Sequence, residues 1–303
     1  MKKTKTIIEL KNVTKKFGTF TAIEDVSFSV EKGEIIGFVG VNGAGKTTTI
    51  NAMLGFSVPT RGTISLFGER VVPSNAHLSH RHIGYAAGDM ELPLHLTGQQ
   101  YIDFVMSQFK GDHTDRLEAL LKQFSPQLEK KIKTLSRGNK QKIALVAAFM
   151  TSPDIVVLDE PTSGLDPIMQ DAFLELIRSE QKNGVTIFMS SHYLQEVAEV
   201  CTRVLLMKNG RIVEDLSAER LQRASGKLVR VVSKKAVIPP PHAKQATTTD
   251  NEHGVTTEFS YDGPIPQLQV WLAGLKSVTD LSVGDRTLEA EFRSLYDEGV
   301  EVK

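Results

Sequence analysis

A glycine-rich segment between an apolar run and a helical stretch restricts the fold of this chain more than any other feature. It reads GVNGAGKTT over residues 40–48, after the run EIIGFVG and before TTTINAML. We predict a strand before it and a helix after it. Glycines let successive backbone N–H groups turn inward, and a helix N-terminus is positive, so this arrangement favours bound phosphate. The pattern G-x-x-x-x-G-K-[ST] therefore predicts a nucleotide phosphate site, against the alternative of a turn without a ligand.

The residue types within this loop indicate separate tasks. Gly40, Gly43 and Gly45 permit close approach of the backbone. Lys46 is placed to reach the β- and γ-phosphates, and the hydroxyl of Thr47 to bind Mg²⁺. The other predicted nucleotide contacts in the loop are Asn42, Ala44 and Thr48. By itself the loop leaves ATPase, GTPase and kinase open.

A second apolar run ends in two carboxylates. Residues 155–161 read IVVLDEP, which predicts a buried strand followed by Asp159 and Glu160. Asp159 is placed to hold Mg²⁺, directly or through water, and Glu160 to orient or deprotonate an attacking water. An acidic pair at a strand end is common in parallel sheets. The catalytic interpretation of this pair therefore depends on the phosphate loop upstream.

The pattern along the chain predicts an α/β domain with a helical insertion. Apolar runs alternate with helical stretches from residue 7 to about 215, which is typical of a parallel sheet with crossover helices. Strands are predicted at residues 35–40, 155–159, 185–190 and 203–207, and the pair Asn209-Gly210 predicts a tight hairpin returning over 211–214. Within residues 97–150, apolar side chains recur every three or four positions, for example at Tyr101, Phe104 and Val105, which indicates an inserted helical subdomain.

The last part of the chain differs in composition. Residues 234–254 are rich in proline and polar residues, and we expect a long loop there. The tail that follows predicts a small βαβα unit, with strands at 255–261 and 278–283 and helices at 266–275 and 288–297. We place the domain boundary between residues 225 and 226, and the role of residues 226–303 is accessory by default.

Charge and hydropathy narrow the functional class. The 36 basic residues balance the 36 acidic ones, so the chain lacks the basic footprint expected of a nucleic-acid-binding protein. No apolar run approaches the roughly 20 residues needed to span a bilayer, and the N-terminus lacks a signal-peptide stretch. We expect a cytoplasmic chain without direct membrane insertion. The single cysteine, Cys201, is expected to be structural.

Four segments in order resemble the motif set of ABC ATPases: residues 40–48, LSRGNKQ at 135–141, LDEPTSGLDP at 158–167 and SSH at 190–192. The resemblance covers residues from about 7 to 215. It implies an α/β P-loop NTPase fold of ABC type with an antiparallel β subdomain and the inserted helical subdomain, followed by a small α+β C-terminal domain. It also implies ATP and Mg²⁺ as the cofactors.

The resemblance assigns roles residue by residue. Asp159 is the magnesium-site carboxylate and Glu160 the catalytic carboxylate. His192 is the switch histidine that contacts the γ-phosphate, with a plain helix cap as the alternative. Asp166 lies in the loop that touches the opposite subunit, and Phe17 matches the aromatic position that stacks on adenine, with a buried core phenylalanine as the alternative.

Two segments depart from the family pattern. The signature LSGGQ reads LSRGN here; Ser136 and Gly138 are kept, Asn139 replaces glutamine, and Arg137 replaces a glycine. Ser136, Gly138 and Asn139 are implied to approach ATP held by the other subunit, while Arg137 either adds charge near the phosphates or points into solvent. The loop that usually carries a glutamine has Gly88 instead, and its contact could pass to Asp89 or Glu91.

The resemblance also implies partners. Two nucleotide-binding subunits, two copies of this chain or this chain with a related one, enclose two ATP molecules. A separate transmembrane permease carries the cargo, which places the chain on the inner face of the cell membrane. The tail resembles that of bacterial exporters of drugs, antibiotics or peptides. The alternatives are a soluble ABC ATPase in translation or repair and a weakly catalytic regulatory subunit.

Overall fold

The computed structural model of the chain describes residues 5–88, 92–192, 197, 199–217, 226–251 and 254–285. The chain divides into two compact units, residues 1–218 and 219–303. The described elements of the first unit are β1 (Thr6–Phe17), β2 (Phe20–Glu31), β3 (Ile35–Val39), α1 (Lys46–Met53), β4 (Arg61–Leu66), β5 (Glu69–Arg70), α2 (Ala76–His80), β6 (Ile83–Ala86), α3 (Gly98–Ser107), α4 (Thr114–Phe124), a 3₁₀ turn (Ile132–Thr134), α5 (Arg137–Phe149), β7 (Ile155–Leu158), α6 (Pro167–Lys182), β8 (Thr186–Ser191), β9 (Arg203–Lys208) and β10 (Arg211–Ser217).

The described residues of the first unit form two sheets. A four-stranded antiparallel sheet has the order β2-β1-β4-β5, and a six-stranded sheet has the order β10-β9-β3-β8-β7-β6. The six-stranded sheet is parallel apart from the β9–β10 hairpin. Its central strands β3, β7 and β8 are buried along their whole length, which explains their unbroken apolar sequence. The predicted strands and the Asn209-Gly210 hairpin are confirmed to within one residue, except that β10 is longer than predicted.

Three of the buried phenylalanine rings of this unit pack against one another. Phe28 of the antiparallel sheet stacks on Phe188 of β8 at 5.7 Å between ring centroids, and Phe38 of β3 lies 5.3 Å from Phe188. All three side chains are buried. This packing holds β3, the strand that precedes the phosphate loop, against β8.

The predicted helical insertion is confirmed as helices α3, α4 and α5. Thr97 caps α3 through a reciprocal pair of hydrogen bonds with Gln100. The insertion is tied to α6 by an ion pair between Arg116 and the buried Glu180. A second tie is the 2.8 Å bond that Gln123 Nε2 donates to the Ala172 carbonyl. None of the helices among the described residues is both long and apolar enough to cross a bilayer.

The described part of the second unit is an antiparallel sheet with a helix on one face. Its described elements are β11 (Lys227–Ser233), β12 (Ala243–Asn251), β13 (Gly254–Tyr261), α7 (Ile265–Ala273) and β14 (Val278–Asp285), and the strand order is β12-β13-β11-β14. Trp271 of α7 meets Phe259 of β13 edge to face at 5.3 Å. Its indole N–H also donates to the Ile238 carbonyl over 3.1 Å.

Two predictions for this unit are wrong. Residues 234–254 do not form one long loop, because β12 occupies 243–251 and pairs with β13. The prolines limit only the first half of the segment, and the threonine run that follows suits an edge strand, where polar side chains face water. The predicted βαβα unit is also wrong, since the sheet has four antiparallel strands, with β11 in its interior. The helix predicted at 288–297 lies outside the described residues.

Candidate active site

The phosphate loop follows β3 and turns directly into α1. A Cβ atom at Gly45, which has φ +108°, would lie 2.7 Å from the Ala22 carbonyl oxygen and 2.8 Å from a methyl of Ile23. A Cβ atom at Gly40 would lie 2.5 Å from the Met207 carbonyl oxygen. Glycine is therefore required at both positions for the loop to fit between β2 and β9. Asn42 and Gly43 are exposed, and Ala44 is buried beneath them.

Lys46 begins α1 and points back across the loop. Its ammonium donates a 2.7 Å hydrogen bond to the Gly40 carbonyl and lies 3.5 Å from Oε1 of Glu160. The side chain is only 5 % exposed, so its charge acts in a region where water screens it little. Thr48 follows on the same helix.

The two carboxylates lie at the end of β7, next to the loop. The Thr47 hydroxyl donates a 2.7 Å hydrogen bond to Oδ2 of the buried Asp159. Glu160 has φ +49°, a backbone conformation that costs a non-glycine residue energy and is concentrated at functional sites. This places Glu160 at the mouth of the site, facing Lys46.

Ser190 is a site residue that sequence reasoning did not single out. Its hydroxyl donates to Oδ1 of Asp159 and accepts a 3.0 Å hydrogen bond from the backbone N–H of Glu160. It is fully buried in β8. One hydroxyl thus holds both carboxylate residues in place. Its position two residues before His192, at the end of a predicted buried strand, was the available signal.

His192 follows β8 and faces Glu160 from the other side. Its Nδ1 lies 3.5 Å from Oε2 of Glu160. The two oxygens of this carboxylate therefore face Lys46 and His192 respectively. Because β3, β8 and β7 are neighbours in one parallel sheet, the residues after their carboxyl ends meet at one edge.

Phe17 lies at the tip of the β1–β2 hairpin and is 54 % exposed. The alternative of a buried core phenylalanine is therefore excluded. The ammonium of Lys15 lies 5.0 Å from the ring centroid and donates a hydrogen bond to the Val58 carbonyl. A cation over one face leaves the ring held in a defined orientation.

The signature segment forms the start of α5. Ser136 is the N-cap, and its hydroxyl accepts hydrogen bonds from the backbone and side-chain nitrogens of Asn139, both at 3.3 Å. Asp166 caps α6 in the same way, accepting a 3.0 Å bond from the Met169 N–H. A Cβ atom at Gly138 would lie 2.6 Å from the Gly164 carbonyl oxygen. The signature therefore rests on the loop that joins Glu160 to Asp166.

Gly88 lies against Asp159, the carboxylate predicted to hold magnesium. A Cβ atom there would stand 2.9 Å from the backbone oxygen of Asp159, so this position accepts no larger residue without a shift. The residues proposed to replace the missing glutamine, Asp89 and Glu91, lie outside the described residues. A cleft of about 670 Å³ opens beside Gly88, lined also by Tyr85, Leu92 and Tyr101. Burial raises the pKa of Tyr101 above its usual value, so its phenol stays protonated.

Comparison with known proteins identifies the family. Residues 23–163 match the family model described as ABC transporter. The chain is 38% identical over 228 residues to the probable multidrug ABC transporter ATP-binding protein YbhF of Escherichia coli (strain K12), covering 71% of this chain and 38% of that protein. It therefore spans well under half of that relative's length.

In two further comparisons the matched region covers a larger share of the other protein. The bacitracin transport ATP-binding protein BcrA of Enterococcus faecalis is 33% identical over 224 residues, covering 73% of this chain and 72% of the relative. A solved ATP-binding subunit of an ABC transporter superposes with a TM-score of 0.67 at 30% identity, covering 72% of this chain and 93% of that one. The chain therefore belongs to the ABC transporter family, and both of these likenesses are to ATP-binding proteins of that family.

Proposed function

We propose that this chain binds MgATP with the residues around Lys46 and hydrolyses it to drive export through a separate membrane-spanning subunit. The observation that carries the proposal is the position of Glu160, with one carboxylate oxygen 3.5 Å from Lys46 and the other 3.5 Å from His192. A carboxylate between a phosphate-binding lysine and a histidine suits hydrolysis at a terminal phosphate.

The residues present fit a magnesium ion. The Thr47 hydroxyl and the Asp159 carboxylate lie 2.7 Å apart, and both are oxygen ligands of the kind that Mg²⁺ prefers. Within the described residues no cluster of three or more His, Cys, Asp or Glu side chains forms another metal site. When bound, Mg²⁺ neutralises charge on the β- and γ-phosphate oxygens.

The side chains divide the hydrolysis between them. Lys46 exchanges its hydrogen bond to the Gly40 carbonyl for the β- and γ-phosphates. Glu160 accepts a proton from the water whose oxygen attacks the γ-phosphorus, while the bond to the bridging oxygen breaks and leaves ADP and phosphate. His192 donates to a γ-phosphate oxygen, and Phe17 stacks on the adenine.

The complete site requires two subunits. Ser136, Gly138 and Asn139 present a hydroxyl and a helix N-terminus, which suit a phosphate bound to the opposite chain. Asp166 contacts that chain, and the pair closes around two ATP molecules. Closure by ATP and release after hydrolysis supply the two states of a transport cycle.

The names of the relatives support a proposal for the cargo. YbhF is named as a multidrug transporter protein and BcrA as a bacitracin transport protein, which supports export of a drug, antibiotic or peptide. The permease docks near Gly88 and the helical insertion, which places this chain on the inner face of the membrane. We assign residues 1–225 to the nucleotide-binding domain and 226–303 to an accessory domain.

Phosphate release and nucleotide binding by the purified chain test this proposal. Glu160→Gln and His192→Ala should each reduce turnover about 100-fold or more, while a fluorescent ATP analogue binds with near-normal affinity. Glu199→Gln is the matched control, because Glu199 is an exposed carboxylate paired with Arg178 on the surface. Turnover that survives both site substitutions refutes the proposed mechanism.

A further inference from the structure

The loop between Glu160 and Asp166 passes under a side chain that no motif explains. Gly164, in this loop, has φ +82°. A Cβ atom at Gly164 would lie 3.1 Å from Cγ and 3.2 Å from Cδ of Arg137. The methylenes of Arg137 therefore fill the space in which a side chain at position 164 would begin.

The neighbouring residue of α5 contacts the same glycine. A Cβ atom at Gly138 would lie 2.6 Å from the Gly164 carbonyl oxygen, so the helix backbone lies directly on the loop. The side chain of Arg137 and the backbone at Gly138 thus both pack against Gly164. The first turn of α5 is joined to a loop that carries Glu160 at one end and Asp166 at the other.

The contact is made by the stem of Arg137 and not by its charge. The side chain is exposed, and within the described parts of the chain its guanidinium has neither a hydrogen bond nor an ion pair. Long basic side chains commonly pack their methylenes on a surface while the charged group stays in water. The contact of Arg137 with this loop is therefore made by its methylenes.

We infer that Arg137 is a positioning residue for the loop of residues 160–166, and that Arg137 and Gly164 are a matched pair. The signature segment serves the ATP held by the opposite chain, whereas Glu160 serves the ATP held by its own chain. Packing of Arg137 on Gly164 joins the two functions within one subunit. The inference rests on the proposed role of Glu160 in hydrolysis.

A double-mutant cycle in the full-length chain tests the pair. Asparagine tolerates a left-handed backbone better than other non-glycine residues, so Gly164→Asn mainly displaces the Arg137 stem. We expect kcat to fall about 10-fold in Gly164→Asn, about 5-fold in Arg137→Ala, and only about 10-fold in the double variant. The KM for MgATP should stay within about 2-fold throughout, because the phosphate loop is untouched.

Two controls separate packing from charge and from backbone strain. Arg137→Met keeps the methylene stem without the guanidinium and should restore most of the turnover lost in Arg137→Ala. Gly68→Asn places the same residue at φ +86° with no atom within 4 Å, and it should leave kcat unchanged. If Gly164→Asn folds only when Arg137 is alanine, as judged by thermal unfolding, the result also supports the pair.

Three outcomes overturn the inference. The losses in the two single variants multiply in the double variant, or Arg137→Met behaves like Arg137→Ala, or both single variants keep wild-type turnover. Failure of the proposed hydrolysis mechanism can be told apart from failure of this inference. In that case Glu160→Gln retains turnover, whatever result the double-mutant cycle gives. Should Gly164→Asn not fold in either background, the comparison of Arg137→Met with Arg137→Ala decides alone.

Discussion

Ser190 joins the two acidic residues of the site, since its hydroxyl donates to Asp159 and accepts from the backbone N–H of Glu160. The serine comes from β8 and the acids from the end of β7, so their relative position depends on strand pairing. Removal of the hydroxyl leaves the buried carboxylate of Asp159 and the partly buried N–H of Glu160 without that partner. The loss at the buried carboxylate costs about 1–3 kcal/mol.

Ser190→Ala should therefore lower kcat about 10-fold or more and reduce thermal stability. The matched control is Ser233→Ala in the second unit, where a buried serine hydroxyl donates to the Lys235 carbonyl. That control should lose stability but keep its turnover in a steady-state assay of phosphate release. Equal turnover in the two variants would show that Ser190 acts only as a structural residue.

Thr47 should determine the response to magnesium. Thr47→Val removes the hydroxyl that donates to Asp159 and preserves the side-chain shape, so the Mg²⁺ concentration for half-maximal turnover should rise about 10-fold or more. Thr47→Ser keeps the hydroxyl and should behave like the wild type. A magnesium titration at fixed ATP measures the effect, and identical curves for valine and threonine would exclude this ligand.

A close approach between β6 and α5 makes Gly84 irreplaceable. A Cβ atom there would lie 1.8 Å from the backbone oxygen of Ala148, so Gly84→Ala must move the strand or the helix. We expect a loss of about 3 kcal/mol or more in the free energy of unfolding, measured with urea. Gly284→Ala, with no atom within 4 Å, is the control and should be near neutral. Similar stability of the two variants would contradict the packing described.

Burial raises the pKa of the Cys201 thiol, which has two consequences. At pH 8 the native thiol should react with a disulfide reagent at about one hundredth of the denatured rate or less, because the thiolate is the reactive form. Above the ordinary thiol pKa of about 8.5 the unfolded chain releases a proton that the folded chain keeps, so stability falls as pH rises.

The cysteine contribution can be isolated because Cys201 is the only cysteine. Between pH 8 and 10 the free energy of unfolding, measured with urea, should fall more for the wild type than for Cys201→Ala. A fast native reaction with the thiol reagent, or equal losses in the two proteins, would show that the thiol is accessible.

The sequence was most informative where local chemistry decides the structure. The phosphate loop was predictable because Gly40, Gly45 and Lys46 occupy positions that only a strand–loop–helix turn uses. Buried parallel strands were predictable because both faces are covered, which leaves an unbroken apolar run. The position of Glu160 followed from such a strand, at the end of β7.

Features that depend on contacts between distant segments were not predictable. Ser190 belongs to the SSH segment at 190–192, but its hydrogen bonds with Asp159 and Glu160 depend on the pairing of β8 with β7. The packing of Arg137 on Gly164 joins residues 27 positions apart, and nothing in either segment indicates that they meet. The edge strand β12 was missed because its polar side chains resemble a loop when its partner β13 is not considered.

A site shared between two subunits can be detected from the molar mass of Glu160→Gln, measured by light scattering with and without MgATP. The variant keeps Lys46 and Thr47 but should not hydrolyse, so the closed pair should accumulate. We expect 33.4 kDa without nucleotide and twice that mass with MgATP. A mass that stays at 33.4 kDa while a fluorescent ATP analogue binds would contradict a site shared between two copies of this chain.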